Sequence, residues 1–501
     1  MTPVVQTSAG PVRGTVDGGV SRFASIPFAA APIGPNRFRA PKPVAPWTEE
    51  LDATAFGPTA MQNASMMDLL NGGEPEERSE DCLRLNVWSP DLGGSAPVMV
   101  WIHGGGFEIG SGSSPLYDGV TFAESGVVFV SINYRLGAFG FLELGGLDAS
   151  YAGSGNNGLL DQVAALEWVR DEIASFGGDP AQVTIFGESA GSMSVALLLA
   201  VPAARGLFHA AICESGGANG ARSVELANAD CVEFLATAEL TTIDEVLVAP
   251  AEQFLIAHGA ISVGRITDLE ATIKRTGSPL SFLVFRPVAD GATVPTDPLA
   301  AIAGGSSTGI PLLVGTNSEE WKLFALMSPA PTDEAGLLER LEMLPNDSQA
   351  TLDIYADVHP DATPGDIECA VITDLVFRVP ASDLADAHSA HGPTWQYLFD
   401  WRSPSMGGML GAAHAMEIPF VFDHAANPAM ALLVGDAPPA ALGRHMHDAW
   451  AAFAEHGSPS TAALPDWPQV TAEQRPVMVF DVDQHLDMDP ADKTRRFWST
   501  S

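Results

Sequence analysis

Val183-Thr-Ile-Phe-Gly-Glu-Ser-Ala-Gly-Ser192 is the stretch that decides how this chain folds. A β-branched, apolar run feeds directly into Gly187-Glu188-Ser189-Ala190-Gly191, and residues 192–200 continue as small and aliphatic side chains. That order reads as strand, sharp turn and helix, with a serine at the apex. Such a turn strains the serine backbone, and only small neighbours leave room for it. The reward is positional: Ser189 Oγ stands clear of the chain at a helix N-terminus, where a base can take its proton. A bare Gly-x-Ser-x-Gly match recurs by chance; the strand before it and the helix after it give it weight.

A second run completes the chemistry. Pro97-Val-Met-Val-Trp-Ile-His103 reads as a buried strand that ends in Gly104-Gly105-Gly106-Phe107. Taken alone this is an ordinary glycine-rich turn. Beside a serine elbow, successive glycines present backbone N–H groups to a developing oxyanion with no Cβ in the way.

With these two runs the chain resembles the type-B carboxylesterases, which include the cholinesterases and the bacterial para-nitrobenzyl esterases. The resemblance spans nearly the whole length. Gly14, Ile26-Pro-Phe-Ala-Ala-Ala-Pro-Ile-Gly34 and Arg37-Phe-Arg39 match its N-terminal signature. Ser79-Glu-Asp-Cys-Leu83, Asn133-Tyr-Arg-Leu-Gly137, Asn156-Asn-Gly-Leu-Leu-Asp-Gln162 and Glu214-Ser-Gly216 follow in order. Pro287-Val-Ala-Asp-Gly291 and His414-Ala-Met-Glu-Ile-Pro-Phe420 close the series. The implied fold is α/β: an α/β-hydrolase with a mostly parallel twisted sheet, helices on both faces and large insertions. The implied activity is hydrolysis of carboxylic esters through an acyl-serine.

The remaining members of a triad lie downstream, because this fold orders them nucleophile, acid, histidine. Residues 310–315 read as a strand, and the loop after it carries two adjacent glutamates, Glu319 and Glu320. The family pattern selects Glu320, although its usual following glycine is Trp321 here. Twelve histidines compete for the base. Most have no distinguishing context, and His445, His447 and His456 sit on an amphipathic C-terminal helix. His414 alone closes a Gly/Ala-rich loop and opens the family's His-x-x-Glu-Ile-Pro-Phe pattern. The resemblance therefore implies catalytic Ser189, Glu320 and His414, with Gly105, Gly106 and Ala190 supplying the oxyanion N–H groups. Glu188 is expected to turn away into a structural ion pair, and Ser215 to support the acid from behind. No cofactor is required.

Composition sets the outer limits. The 501 residues are 46% hydrophobic, enough for a large core, and no linker, repeat or low-complexity tract divides them. One catalytic domain over 1–501 is expected. No apolar run reaches membrane-spanning length, and the first residues lack a basic region and an apolar signal core, so the expected location is cytoplasmic. A net charge of −38, from 62 acidic against 24 basic residues, repels nucleic acid and anionic membranes alike. Such an acidic, lysine-poor surface suits high salt, and GC-rich coding produces the same bias. The four cysteines show no metal spacing, and no metal is expected. Secreted family members often pair the cysteine of the Glu-Asp-Cys-Leu motif with one upstream; here Cys82 has none upstream, which fits a reducing compartment.

The substrate is less legible. Met66 and Leu70 begin what reads as a lid loop, Met409 and Leu410 precede His414, and Phe107, Leu116 and Phe324 are further pocket candidates. They suggest apolar esters of short to medium acyl chain, with bulky or aryl alcohols admitted by the triple glycine. Carbamates, amides and synthetic polyesters are chemically close alternatives. A non-catalytic binding protein on the same scaffold is the distant one, and an intact triad argues against it. The chain is expected to act as a monomer or homodimer.

Overall fold

The computed structural model describes residues 2–65, 68, 76–276, 278–326 and 330–499. Eleven strands form one sheet. In chain order they are β1 (Thr15–Asp17), β2 (Val20–Pro27), β3 (Arg84–Ser89), β4 (Ala96–Ile102), β5 (Val128–Ile132), β6 (Gly178–Glu188), β7 (Ala210–Glu214), β8 (Leu312–Asn317), β9 (Thr394–Phe399), β10 (Pro476–Phe480) and β11 (His485–Met488). Across the sheet they run β11-β10-β9-β8-β7-β6-β4-β5-β3-β2-β1. From β5 to β10 every pairing is parallel, and the strands outside this block are antiparallel.

The parallel strands are apolar on both faces because helices cover both. Val98, Val100 and Ile102 of β4 join one core with helices α1 (Asn157–Glu172) and α2 (Ala190–Leu198). The alternate residues Met99 and Trp101 join a second core on the opposite face, with Phe186 and Phe422. Helix α3 (Pro364–Thr373) precedes a π-helical turn, Asp374–Arg378, and α4 (Val379–Ser389) continues from it. Helix α5 (Ala440–His456) puts Leu442, Met446, Trp450 and Phe453 into the second core, as its spacing predicts. Charged motif residues serve this framework. Arg135 and Asp161 form a buried pair at 2.7 Å, and Arg37 pairs with Glu80 at the same distance. All four cysteines are free and buried.

Ends of the parallel strands carry the chemistry. In open α/β sheets the carboxyl ends of the strands leave a crevice free of helix packing. The glycine loop leaves β4, the serine elbow leaves β6, and the glutamate loop leaves β8.

Candidate active site

Ser189 links β6 to α2 with φ 57° and ψ −122°, a conformation that costs a non-glycine residue energy. The surroundings over-determine it. Its N–H donates to the Glu214 carbonyl at 2.9 Å, and its own carbonyl accepts from Met193 N–H at 2.9 Å. A Cβ on Gly191 would collide with the Ile102 carbonyl, so the helix can approach β4 only with glycine there. The glycine loop lies against the elbow: a Cβ on Gly104 would come within 3.0 Å of Ser189 Cβ. Among the described residues, the N–H groups of Gly105, Gly106 and Ala190 have no acceptor in the protein. His103 anchors the loop. Its ring stacks on Tyr134 and its Nδ1 lies 2.9 Å from the Gly104 carbonyl oxygen, with burial pulling the imidazole down to about 4.

Glu320 and His414 meet on the same side. Glu320 Oε2 lies 2.6 Å from His414 Nδ1, while Oε1 accepts from Asn317 N–H at 2.8 Å. Glu319 goes elsewhere: it pairs with Lys322 at 2.8 Å and accepts from Ala412 N–H. The adjacent glutamates are therefore separated by geometry, one on the imidazole and one on a lysine.

Glu188 departs from its expected place. Rather than turning away, its side chain has Oε1 facing His414 Nε2 at 3.0 Å, although that contact lacks hydrogen-bond alignment. Among the described residues no hydrogen bond joins Ser189 Oγ to His414. Glu188 is the last residue of β6, and its side chain is buried. Ser215 donates to Glu417 at 3.3 Å, and Glu417 accepts from Asn317 Nδ2 at 2.5 Å, so among the described residues Ser215 reaches Glu320 through this relay. Glu214 is buried too, held by Trp450 Nε1 at 2.8 Å.

Three carboxyl groups, those of Glu188, Glu320 and Glu417, thus bear on one imidazole in a dry setting, and Glu214 is buried near two of them. Burial is the main reason that Glu188 and Glu214 are held well above the usual carboxylate range. Burial, then the nearby charge of Glu320, pushes Glu417 up to about 7. For His414 burial acts to lower the imidazole, but Glu188 and Glu320 overcome it and raise it to about 9.

Of the apolar candidates, Phe324 lies beside His414, its ring 5.1 Å from the imidazole. Phe107, Leu116 and Leu410 are buried in the cores. Phe107 is fully buried, because its φ of 64° turns the ring inward onto Phe141. Leu116 and Leu410 fill the second core. Met409 is exposed, and Met66 and Leu70 lie outside the described residues. Sequence reasoning missed Phe377, 4.7 Å from the His414 ring, since nothing in its own neighbourhood marks a π-helical turn. It also missed Phe282, which packs on Trp321, and Trp321 packs in turn on Phe324. Leu283 contacts the glycine loop, because a Cβ on Gly106 would sit 2.8 Å from Leu283 Cδ2. Glu417 was visible within the His414 motif, but no role was attached to it.

This geometry agrees with comparisons to known proteins. A sequence model of the carboxylesterase family matches residues 1–498. The chain is 40% identical over 500 residues to a para-nitrobenzyl esterase of Bacillus subtilis (strain 168), covering 98% of both chains. It is 35% identical to a phenmedipham hydrolase of Pseudarthrobacter oxydans, covering 95% of this chain and 94% of that one. A Geobacillus stearothermophilus carboxylesterase structure superposes with a TM-score of 0.87 at 39% identity, covering 99% of each chain. That solved fold and the mixed sheet with helices on both faces make this an α/β-hydrolase. Motif order, strand order and full-length similarity converge: the chain belongs to the carboxylesterase family and is a carboxylic ester hydrolase.

Proposed function

We propose that Ser189, His414 and Glu320 form the catalytic triad of this esterase, acting on apolar esters of short to medium acyl chain. The observation that carries the reading is the 2.6 Å pair of Glu320 with His414 Nδ1 beside the strained Ser189. Glu320 fixes the tautomer that leaves Nε2 free for proton transfer. His414 takes the Ser189 proton as Oγ attacks the acyl carbonyl, and the N–H groups of Gly105, Gly106 and Ala190 receive the oxyanion. One such donor supplies about 3 kcal/mol in the transition state. The protonated His414 then gives its proton to the departing alcohol, leaving acyl-Ser189. Water enters and attacks the acyl carbon as His414 takes its proton, then the bond to Ser189 Oγ breaks, Oγ recovers that proton from His414, and the carboxylic acid leaves.

Residues 1–501 act as one catalytic unit in this reading. Four free, buried cysteines support a reducing compartment, the cytoplasm. No described helix is long and apolar enough to cross a membrane. The large negative charge supports a small-molecule substrate over nucleic acid, and the working unit is a monomer or homodimer.

The test is hydrolysis of p-nitrophenyl esters from acetate to decanoate by the wild type and Ser189→Ala. Turnover that peaks at short or medium chains and disappears in the variant supports the proposal. A folded wild type that neither turns over nor labels with a serine-directed phosphonate overturns it.

A further inference from the structure

A cavity of about 640 Å³ lies between the carboxyl halves of β8 and β9 and helices α3 and α4. It borders Ser318 and Glu319 but contains neither Ser189 nor His414. Its volume has a plain origin: the helices face it with Ala370, Ala381 and Ser382, too small to fill the space above the strands.

Its floor is polar where the sheet would ordinarily be apolar. Thr316 and Gln396 point from β8 and β9 into it, on a parallel region covered by helices. Gln396 is 7% exposed, yet its side-chain amide makes no hydrogen bond among the described residues. The hydroxyls of Thr316 and Ser382 are likewise unbonded among the described residues, where Arg378 Nε is also buried without a partner while its other two nitrogens bond Asp374 and the Ser318 carbonyl. The amide and both hydroxyls are reachable from the cavity, so a polar occupant can bond them in place of water.

The rim carries charge of both signs. Arg402 is largely exposed and only 3.4 Å from its nearest carboxylate, Glu319. Lys322 stands beside it. Asp361 has no ion pair among the described residues, and Asp400 is held by Ser318 Oγ alone at 2.5 Å. A ligand with one charge would meet repulsion on part of this rim. A ligand with an ammonium and a carboxylate satisfies both parts, while its body meets Gln396, Thr316 and Ser382.

We propose that this cavity binds a small zwitterion of α-amino acid or dipeptide type, with its ammonium toward Asp361 and Asp400 and its carboxylate toward Arg402 and Lys322. The volume is that of an ordinary small-molecule site.

Calorimetric titration of the full chain with glycine, L-lysine, L-glutamate and glycylglycine tests this, since it reads binding without turnover. Saturable binding of at least one probe at millimolar concentration is expected. Affinity should fall about tenfold or more in Arg402→Ala and in Asp361→Ala. Both side chains lie on the rim and outside the catalytic machinery, so ester hydrolysis should be unchanged. Ser382→Phe, which fills the cavity, should abolish binding. The proposal is overturned by no saturable binding of any probe, by unchanged affinity in both rim variants, or by equal binding of the uncharged polyol sorbitol.

Discussion

Glu188 Oε1 lies 3.0 Å from His414 Nε2, on the side of the ring opposite Glu320, which holds Nδ1 at 2.6 Å. The nitrogen that serves Ser189 in the proposed triad therefore shares its surroundings with a second carboxyl. A general base works as neutral imidazole, so every negative charge near it shifts the working range. Burial alone would lower His414; the two glutamates hold it up at about 9.

Removing one of those charges has a definite sign. In Glu188→Gln the imidazolium loses an electrostatic partner, so the imidazole loses its proton at lower pH. The rising limb of kcat/KM against pH should move toward acid by about one to three units. A pH profile with p-nitrophenyl acetate on both proteins measures it. An unmoved limb would mean that Glu188 carries no charge in the free enzyme.

The two loop glutamates make a sharper pair. Glu320→Gln keeps the shape but presents an amide to Nδ1, favouring the wrong tautomer, and kcat should fall by about 10⁴-fold, as when the triad aspartate of a serine protease becomes asparagine. Glu319→Gln removes a partly exposed ion pair with Lys322, worth about 1 kcal/mol or less, so kcat should change by only a few-fold. Steady-state rates of the two variants decide the assignment. Equal losses in both would sink it.

These contrasts follow what local sequence can record. The elbow left its mark because a positive φ at Ser189 and a near collision at Gly191 restrict which residues fit. The glycine loop is marked in the same way. A buried apolar side chain leaves no such mark: Phe107 sits beside the loop like a pocket residue, yet its backbone turns the ring into the core. Phe377 reaches His414 from a helix far along the chain, and only tertiary packing reveals it. Glu188 is expected to turn away from the nucleophile, yet it ends β6 and faces His414, because local sequence does not record the group across from a strand end. The same applies to the sheet, whose parallel block follows from the motif order while its antiparallel margin does not.

Trp321 stands where the family pattern has glycine, and its ring closes a wall with Phe282 and Phe324 beside His414. Trp321→Gly opens that wall by the volume of an indole. Longer acyl chains should gain, with kcat/KM for the decanoate ester relative to acetate rising roughly tenfold, the worth of a methylene or two in an apolar pocket. The p-nitrophenyl ester series measures the ratio. An unchanged chain-length profile would show that substrate does not reach this wall.

Glu417 ties the site to stability. It is fully buried, bonded by Asn317 and Ser215, and raised to about 7 from an ordinary 4.5. Between those two values the folded chain holds a proton that the unfolded chain has released. Acid therefore favours the folded state: the contribution is complete below pH 4.5 and is lost as pH rises through about 7. The full span corresponds to ~3 kcal/mol. His414, raised to about 9, adds a loss of the same sign at higher pH, and self-repulsion of the acidic surface acts in the same direction. A slope in the wild type alone would not isolate Glu417, so the comparison is with Glu417→Gln, which keeps an oxygen for Asn317 and carries no titrating proton. Its melting temperature should fall less steeply than that of the wild type between pH 5 and 7. Calorimetric scans across this range read the difference directly. Parallel slopes would mean that Glu417 holds no extra proton in the folded protein, and that surface charge alone sets the acid preference.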